Sequence, residues 1–373
     1  MQFIDLKSQQ KKIRKKIEAR LNQVLDHGQY IMGQEITELE NQLAGFVDCK
    51  HAIGVSSGTD ALILALMCYD IGPGDAIITT PFTFISTVEV ICLLGAIPVF
   101  VDIDPDTYNI DSLAIEETIN DCKNESYNVR GIIAVDLFGL SADYDTINDV
   151  ARNNNLFVIE DAAQSFGATY HDHRACSLAD ISGTSFFPAK PLGGYGDGGM
   201  CFTNDDAHAA KIRSLMVHGQ GSHRYEHIHI GINGRLDTMQ AAILLEKFAL
   251  FPDELIARQQ VAERYTNIFK KHSSIITPYI PPHCQSSWAQ YSIQVDSSDQ
   301  RQHLQTYLKN NDIPSAIYYP IPIHQQPAFK NKTSKAFPVS EAVSQRIMSL
   351  PMHPYLTSEQ QDMIIQNVLK GLE

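Results

Sequence analysis

Short apolar segments alternate with amphipathic segments along the first half of the chain. The apolar segments are rich in β-branched residues and carry few charges, which is typical of strands buried on both faces of a parallel sheet. Strands are predicted at 51–55, 76–80, 97–103, 131–135 and 156–159. The segments between them, such as 61–67 and 144–153, repeat apolar residues at helical spacing. The pattern therefore predicts an α/β fold with a mostly parallel sheet that helices cover on both faces.

The two ends of the chain carry a different pattern. Helices are also predicted at 8–27, 35–46 and 236–271, the last of them interrupted near Pro252. After the long helical segment, strands at 291–295 and 315–319 suggest a smaller α+β region. We therefore expect a large domain over residues 1–250 and a small C-terminal domain over residues 251–373.

Composition and charge exclude several classes of function. Of 373 residues, 44% are hydrophobic and 19% are charged, as in ordinary globular proteins. The formal net charge of −14 argues against a nucleic-acid partner, which requires a basic surface. Seven cysteines without a C-x-x-C pair suggest buried thiols in a reducing compartment. No apolar segment has the length of a signal peptide or a membrane span, so we expect a cytoplasmic protein without a membrane partner.

A lysine between two prolines, followed by several glycines, is the strongest candidate for chemistry. Residues 185–199 read SFFPAKPLGGYGDGG, and Lys190 follows the apolar end of a strand. Most lysines are solvated, but a lysine partly removed from water has a lowered pKa and becomes the nucleophilic amine that Schiff-base chemistry requires. Gly194, Gly196 and Gly199 match GxGxxG, yet the lysine loop precedes them and a strand-like segment follows. We interpret them as turn glycines that allow close backbone approach.

Other polar and aromatic residues also follow predicted strands. Residues 56–60 (SSGTD) join a strand to a helix, where free N–H groups and the helix dipole favour an anion. The same residues could instead only cap the helix. Asp161 and Phe84 likewise lie at or just beyond strand ends. Since ligands of parallel sheets bind beyond the carboxyl ends of the strands, we expect these residues to lie near Lys190.

Two histidines at strand spacing, His227 and His229, raise the question of a metal site. A structural or catalytic zinc ion takes at least three protein ligands, and no further cluster is evident around this pair. We therefore predict no metal.

Five motifs, taken together and in this order, resemble the DegT/DnrJ/EryC1 family of pyridoxal-phosphate-dependent sugar aminotransferases. They are GTDAL (58–62), PFTF (81–84), EDAAQSFGA (160–168), the lysine segment (185–199) and GINGRLDTMQAAIL (231–244). The resemblance covers nearly the whole chain. It implies a fold-type-I α/β architecture, pyridoxal 5′-phosphate (PLP) as cofactor, and a homodimer with shared active sites.

The resemblance also implies a role for each matching position. Lys190 would hold PLP through its amine and then move a proton, and Asp161 would keep the pyridine nitrogen protonated. Phe84 and Ala163 would lie against the two faces of the ring, and Gln164 would reach the ring hydroxyl. The phosphate ligands would be Gly58, Thr59, Ser185 and, from a second subunit, Asn233.

Within the family, segments such as YYPIP (318–322) and SLPMHPYL (349–356) resemble enzymes that aminate C3 of UDP-2-acetamido-2-deoxy-3-oxo-glucuronate in surface-polysaccharide (O-antigen) synthesis. The amino donor would be L-glutamate. Because such a substrate carries a diphosphate and a carboxylate, cationic donors should line its cleft. The substrate-binding candidates are Arg235, Tyr318, Tyr319 and His324. The alternatives are another 3-keto or 4-keto deoxysugar on UDP or dTDP, and a non-catalytic regulator built on the same scaffold.

Overall fold

The computed structural model describes residues 1–329 and 335–373, and a seven-stranded sheet forms its centre. Over the whole described structure, including the smaller sheets, the strands are β1 (His51–Val55), β2 (Asp75–Thr79), β3 (Ile97–Phe100), β4 (Asn128–Val135), β5 (Phe157–Asp161), β6 (Thr169–Tyr170), β7 (His173–Arg174), β8 (Ile181–Ser185), β9 (Gly199–Thr203), β10 (Cys284–Gln285), β11 (Tyr291–Gln294) and β12 (Ile347–Leu350). The central sheet has the order β1-β9-β8-β5-β4-β2-β3. Strand β9 runs antiparallel to both of its neighbours, β1 and β8, and the other pairs in the sheet are parallel. The mostly parallel sheet is as predicted.

Helices cover this sheet and form much of the rest of the chain. They are α1 (Leu6–His27), α2 (Gln34–Val47), α3 (Gly58–Cys68), α4 (Ser86–Leu93), α5 (Ile115–Asn124), α6 (Tyr144–Asn154), α7 (Asp206–Leu215), α8 (Thr238–Phe248), α9 (Phe251–Phe269), α10 (Ser298–Asn310), α11 (Pro338–Arg346) and α12 (Ser358–Lys370), with 3₁₀ turns at 112–114, 137–139 and 323–325. Within the residues described, no helix is long and apolar enough to cross a membrane.

Alternation along the strands explains why they are apolar throughout. On β4, Ile133 faces the core that contains α3 and α7, whereas Ile132 and Ala134 face the core that contains α5 and α6. Successive strand side chains point to opposite faces, so a strand with helices on both sides buries every residue. Both faces of the sheet are therefore covered by helices, and polar groups are found mainly at the ends of its strands.

The C-terminal part of the chain has a core of its own. There β11 and β12 pair antiparallel, and residues of α9, α10 and α12 pack around them. The long helical segment breaks between Phe248 and Phe251, close to the predicted interruption. Pro252 lies in the first turn of α9, where its missing N–H costs no hydrogen bond. The division of the chain into two domains at residue 250 remains a proposal, and the terms large domain and small domain are used below only for residues 1–250 and 251–373.

The prediction of a strand over 315–319 is wrong. Only Ala316 pairs with another chain segment, through an isolated bridge to Ser349. Pro314 and Pro320 flank the segment and cannot donate ladder hydrogen bonds, so the pairing could not continue past either end of it. The tyrosines that made the segment look strand-like, Tyr318 and Tyr319, pack against the apolar cluster around Phe82 in the large domain instead.

Side-chain hydrogen bonds join the two parts of the chain. Asp102, which follows β3, accepts hydrogen bonds from the N–H groups of Val339 and Ser340 at 2.9 Å each. These are first-turn groups of α11, so the large domain caps a helix of the small one. Gln294 of β11 also donates to the Tyr108 hydroxyl at 2.9 Å. Polar contacts of this kind fix the small domain against the strand ends.

Candidate active site

The carboxyl ends of the parallel strands bring the predicted residues to one edge of the sheet. Strand β1 leads into α3, β5 ends at Asp161, and β8 leads into the loop that carries Lys190. Strand β2 leads through the PFTF motif into α4. The site is therefore built from loops and helix starts that a rigid sheet holds in place.

Lys190 lies in a tightly turned loop and is only partly exposed. Its N–H donates to the Phe187 carbonyl at 2.9 Å. A Cβ atom added at Gly193 would lie 2.5 Å from that carbonyl oxygen, so this turn requires glycine. Burial lowers the pKa of the Lys190 amine, and the nearby Asp161 carboxylate opposes this effect. The amine is therefore more easily neutralised, and more nucleophilic, than a solvated lysine.

Asp161 is a buried carboxylate with two defined partners. Its Oδ2 accepts a hydrogen bond from Thr87 Oγ1 at 2.7 Å, and its Oδ1 accepts one from the Ala163 N–H at 3.2 Å. Burial raises the pKa of Asp161, while Thr87, Ala163 and the charge of Lys190 lower it. Sequence reasoning missed Thr87. Its position in the first turn of the helix after PFTF, four residues beyond Thr83, was the available signal.

The start of α3 has a side-chain cap and also N–H groups that remain available to an anion. Ser57 is the N-cap, and its hydroxyl accepts a hydrogen bond from the Asp60 N–H at 3.0 Å. Gly58 and Thr59 are the first two helical residues, whose N–H groups have no partner within the helix. A Cβ atom at Gly58 would lie 2.6 Å from Cβ of Ser185, so these two predicted phosphate ligands are in close approach. The Thr59 hydroxyl contacts the Ser86 hydroxyl at 2.8 Å.

Aromatic residues and an amide form another side of the site. Gln164 is buried, and its Oε1 accepts a hydrogen bond from the Phe138 N–H at 2.8 Å. Its Nε2 donates to the Tyr319 hydroxyl at 3.1 Å. The ring of Phe84 is 54% exposed and lies 6.4 Å from that of Tyr319. The structure thus connects Gln164, predicted to bind the cofactor, with Tyr319, predicted to bind the substrate. It also leaves the ring of Phe84 exposed.

Asn233 and Arg235 lie on a cavity of about 600 Å³. Ser56, Ser57 and Asp60 of the same chain also line it, so the cavity borders the start of α3. Asn233 Oδ1 accepts a hydrogen bond from Arg235 Nη2 at 2.5 Å. The Nε of Arg235 is enclosed and has no hydrogen-bond partner among the described residues. Because Arg235 also lines the cavity, its guanidinium is the cationic group there that could meet an anionic ligand.

Two further predicted residues have other surroundings. Tyr318 is partly buried, with its ring 6.5 Å from that of Phe3. His324 is 8% exposed, and its Nε2 lies 3.0 Å from a carboxylate oxygen of Glu341. Its ring packs against Phe337. The structure does not join His324 to the group around Asp161 by any hydrogen bond that it describes, so its substrate role stays a prediction.

The paired histidines do not form part of a ligand cluster. His227 Nδ1 lies 2.9 Å from the backbone carbonyl oxygen of His218. Over residues 1–329 and 335–373, no group of three or more histidine, cysteine or acidic side chains is arranged to hold a metal ion.

The geometry defines a class of protein. A partly buried amine of lowered pKa lies near a buried carboxylate, a helix start with free N–H groups and an exposed aromatic face. Together they suit a flat, anionic ligand that reacts with the amine and places a basic nitrogen near Asp161. The cradle is shaped for close approach, because neither Gly58 nor Gly193 leaves room for a side chain. The site is that of a lysine-dependent enzyme on a parallel α/β sheet.

Comparison with known proteins identifies the family. Residues 11–369 match the DegT/DnrJ/EryC1/StrS aminotransferase family, and the chain belongs to it. It is 49% identical over 356 residues to the UDP-2-acetamido-2-deoxy-3-oxo-D-glucuronate aminotransferase of Pseudomonas aeruginosa, covering 95% of this chain and 96% of the relative. The resemblance inferred from the motifs is therefore confirmed.

Solved structures agree with the fold. A DegT/DnrJ/EryC1/StrS aminotransferase from Brucella abortus superposes with a TM-score of 0.96 at 44% identity, covering 99% of both chains. NtdA from Bacillus subtilis, solved with its cofactor PMP bound, superposes with a TM-score of 0.89 at 27% identity, covering 99% of this chain and 83% of that one. The predicted fold class is confirmed.

Proposed function

We propose that this protein is a PLP-dependent aminotransferase that moves an amino group from L-glutamate to the 3-keto group of UDP-2-acetamido-2-deoxy-3-oxo-glucuronate. The observation that carries the proposal is the placement of Lys190, an amine of lowered pKa, and the buried carboxylate of Asp161 at the carboxyl ends of the neighbouring strands β8 and β5. The substrate follows from the 49% identity with an aminotransferase of that name. PMP, the amine form of PLP, is the cofactor named for a structural relative.

The residues of the chain fit PLP by their own chemistry. When bound, the pyridine ring withdraws electrons from the carbon that loses and regains a proton. Asp161 would hold a proton on the ring nitrogen, and Thr87 and the Ala163 N–H fix the orientation of that carboxylate. Gly58, Thr59 and Ser185 would bind the phosphate.

Lys190 has two tasks in this proposal. Its amine, which burial makes easier to neutralise, would first hold the cofactor covalently. When not bonded to the cofactor, the same amine would act as the base that takes up and returns the proton at the reacting carbon. Gln164 would donate toward the ring hydroxyl, and Phe84 would cover one ring face while Ala163 lies against the other.

The cavity beside α3 is the proposed binding region for the nucleotide part of the substrate. Arg235 lines this cavity, and a guanidinium binds phosphate or carboxylate oxygens in a bidentate manner. Asn233 would assist at the cofactor phosphate. Tyr319 is the best supported of the remaining substrate candidates because it already contacts Gln164. Tyr318 and His324 are retained as weaker candidates.

We further propose a homodimer in which Asn233 and Arg235 serve the neighbouring subunit's Lys190. Exposed apolar side chains lie beside Ile31, which lines this cavity, and shortly before Asn233 in the sequence, which favours a covering partner. They include Tyr30, Ile31, Met32, Ile228 and Ile230, with exposed fractions from 47% to 90%. The reaction would take place in the cytoplasm and serve O-antigen synthesis. Cys49, Cys68, Cys122, Cys176, Cys201 and Cys284 are buried free thiols, which fits a reducing compartment.

A subunit-mixing experiment tests whether the sites are shared. Differently tagged Lys190→Ala and Arg235→Ala proteins, each inactive, are mixed and the heterodimer is isolated. If Arg235 serves the neighbour, the heterodimer has one intact site of its two and recovers about half of the parent activity. Mixing two tagged Lys190→Ala preparations is the matched control. Demonstrated exchange without recovered activity would show that Arg235 serves its own subunit.

A panel of keto-sugar nucleotides tests the substrate. The proposal expects the highest kcat/KM for the 3-keto glucuronate on UDP, with lower values when the carboxylate, the ketone position or the nucleotide is changed. A preference for a 4-keto or dTDP-linked sugar would replace the substrate and keep the enzyme class. A purified protein that shows no visible cofactor absorbance and no transamination of glutamate would contradict the proposed function as a whole.

A further inference from the structure

Two acidic side chains next to the site are completely enclosed. Asp136 follows β4 directly, Glu160 lies on β5, and both are 0% exposed. Glu160 pairs in register with Ala134, and Asp136 is two residues beyond Ala134. Side chains two residues apart on a strand point to the same face. The two carboxyl groups therefore lie on one face of the sheet, opposite to the face that Asp161 occupies.

Hydrogen-bond donors surround both groups. Asp136 Oδ1 accepts hydrogen bonds from the Ala142 N–H at 3.0 Å and the Tyr144 hydroxyl at 2.9 Å, and its Oδ2 accepts one from Ser165 Oγ at 2.7 Å. Glu160 accepts hydrogen bonds from three groups, at 2.6–3.2 Å. They are the Cys176 N–H, the Leu178 N–H and the Ser182 hydroxyl.

No cation compensates this pair in the part of the chain that the structure describes, where neither Asp136 nor Glu160 forms a salt bridge. Among the residues that the structure describes, the ionisable groups that interact with the pair are all acidic in type. They are Tyr144, Cys49, Cys176, Cys284 and, more distantly through Tyr144, Asp161. Two adjacent carboxylates without a counter-charge are strongly disfavoured in a buried region, so one proton should remain on the pair.

The electrostatics agree on where that proton lies. Burial raises the pKa of Asp136 well above its ordinary value, and the charge of Glu160 raises it further. Burial also raises the pKa of Glu160, but the hydrogen bonds from Ser182, Cys176 and Leu178 oppose this, and Asp136 adds a side-chain hydrogen bond. Glu160 is thus the better anion and Asp136 the better acid.

We propose that Asp136 and Glu160 share one proton, carried by Asp136 and donated to Glu160, and that this singly charged pair positions Gln164. Two connections reach Gln164. Ser165, its neighbour in sequence, donates to Asp136 Oδ2. Phe138, two residues after Asp136, donates its N–H to Gln164 Oε1. The shared proton does not depend on the proposed function, whereas the importance of Gln164 rests on it.

Infrared spectroscopy of the holoenzyme tests for the shared proton directly. A protonated carboxylic acid has a carbonyl stretch that is separate from the amide and carboxylate bands. The parent protein should show one such band at neutral pH that is lost in Asp136→Asn. Identical spectra of the parent and this variant in that region would overturn the proposal.

The location of the proton follows from an asymmetry between two isosteric variants. Asparagine at 136 keeps a donor toward Glu160 and an acceptor for Ala142, so Asp136→Asn should unfold within a few degrees of the parent. Glu160→Gln places an amide donor opposite either the Cys176 N–H, which donates to Oε1, or the Leu178 N–H, which donates to Oε2, and should be much less stable. The reverse order would place the proton on Glu160 and overturn the assignment.

The pH dependence of stability gives a second readout. The unfolded chain releases the Asp136 proton near its ordinary pKa, whereas the folded chain keeps it to higher pH. The parent therefore loses stability relative to Asp136→Asn as pH rises from about 4 to neutral, since the folded state binds more protons in this range. A constant difference in urea midpoint between the two proteins from pH 4 to 7 would mean that Asp136 is ionised.

Cofactor binding tests the positioning of Gln164. Asp136→Ala removes the partner of both Ser165 and Ala142 and should weaken PLP binding severalfold and alter the pH dependence of the cofactor absorbance. Asp136→Asn keeps the acceptor for Ala142 and can donate to the Ser165 hydroxyl, so it should restore most of both. If Asp136→Ala does not fold, Ser165→Ala removes the same contact with a smaller change. Unaltered cofactor affinity and spectrum in the folded variant would overturn the positioning role and leave the shared proton and the proposed function untouched.

Discussion

The strand ends of the large domain and the core of the small domain differ in which kinds of side chain they bury. The strand ends enclose Asp136, Glu160 and Asp161 and expose the ring of Phe84. The small-domain core consists of apolar side chains such as Leu304 and others of α9, α10, α12 and the β11–β12 pair. Buried charges and exposed rings cost stability unless a ligand uses them, whereas apolar burial provides it. The comparison teaches that chemistry and stability are supplied by separate regions, which substitutions can separate.

The largest effect is expected from Lys190→Ala. Loss of the amine removes both the covalent link to the cofactor and the proton carrier, so turnover should fall by about 10⁴-fold or more. The unfolding midpoint should change little, because the side chain is only partly buried. Initial rates and thermal unfolding on the same preparation check this.

The competing lysine is Lys247, whose pKa burial lowers to about 8 while Glu254 opposes the shift. Borohydride reduction followed by peptide mapping decides between the two. A pyridoxyl label on Lys247, or on any lysine other than Lys190, would contradict the assignment.

Asp161→Asn should have the next largest effect. The amide keeps the shape and can still accept a hydrogen bond from Thr87, but it removes the negative charge that would hold the ring nitrogen protonated. Turnover should fall by about 10³-fold, with a much smaller change in stability. Steady-state kinetics and the spectrum of the bound cofactor are the measurements. Near-parent turnover would show that another group performs this role.

Leu304→Ala tests the other side of the comparison. Leu304 is 0% exposed in the small-domain core, and truncation should reduce the free energy of unfolding by about 2–5 kcal/mol. Activity per folded molecule should stay near that of the parent. Met363→Ala, at a side chain 49% exposed on α12, is the matched control and should change stability by at most about 0.5 kcal/mol. A large loss of kcat in folded Leu304→Ala would contradict the view that the small-domain core contributes to stability and not to catalysis.

The smallest expected effect concerns His353, where the two regions meet. Burial lowers the pKa of His353 to about 4, nearby Asp5 opposes this, and Arg258 adds to it. The unfolded chain takes up a proton below its ordinary pKa of 6.5, while the folded chain remains neutral. Stability should therefore fall by about 3 kcal/mol in total between pH 6.5 and 4 through this group. His353→Asn should flatten the urea midpoint over that range, and an unchanged slope would contradict the prediction.

Sequence reasoning located the sheet because its signal is local. Strands such as β4 are apolar on both faces, and the motifs fall at their carboxyl ends, so the meeting of Lys190 with Asp161 could be predicted. The segment 315–319 failed because its tyrosines pack against the distant Phe82 cluster, which no local pattern reports.

The parts of the site that were missed depend on contacts between distant residues. Thr87 reaches Asp161 across 74 positions of the chain. The enclosure of His324 beside Glu341 depends on the placement of α11. The pairing of Asp136 with Glu160 follows from the register of β4 and β5, and a register cannot be obtained from apolar segments alone.

The hydrogen bonds from α11 to Asp102 determine how the chain comes apart. The residue preceding α11, Phe337, provides no side-chain cap, so the N–H groups of Val339 and Ser340 depend on an acceptor from the other domain. Separation of the domains would leave those groups open to solvent and start the unfolding of the helix. Amide exchange at Val339 and Ser340 would then report on domain separation, and heating should melt both domains in one cooperative transition rather than two.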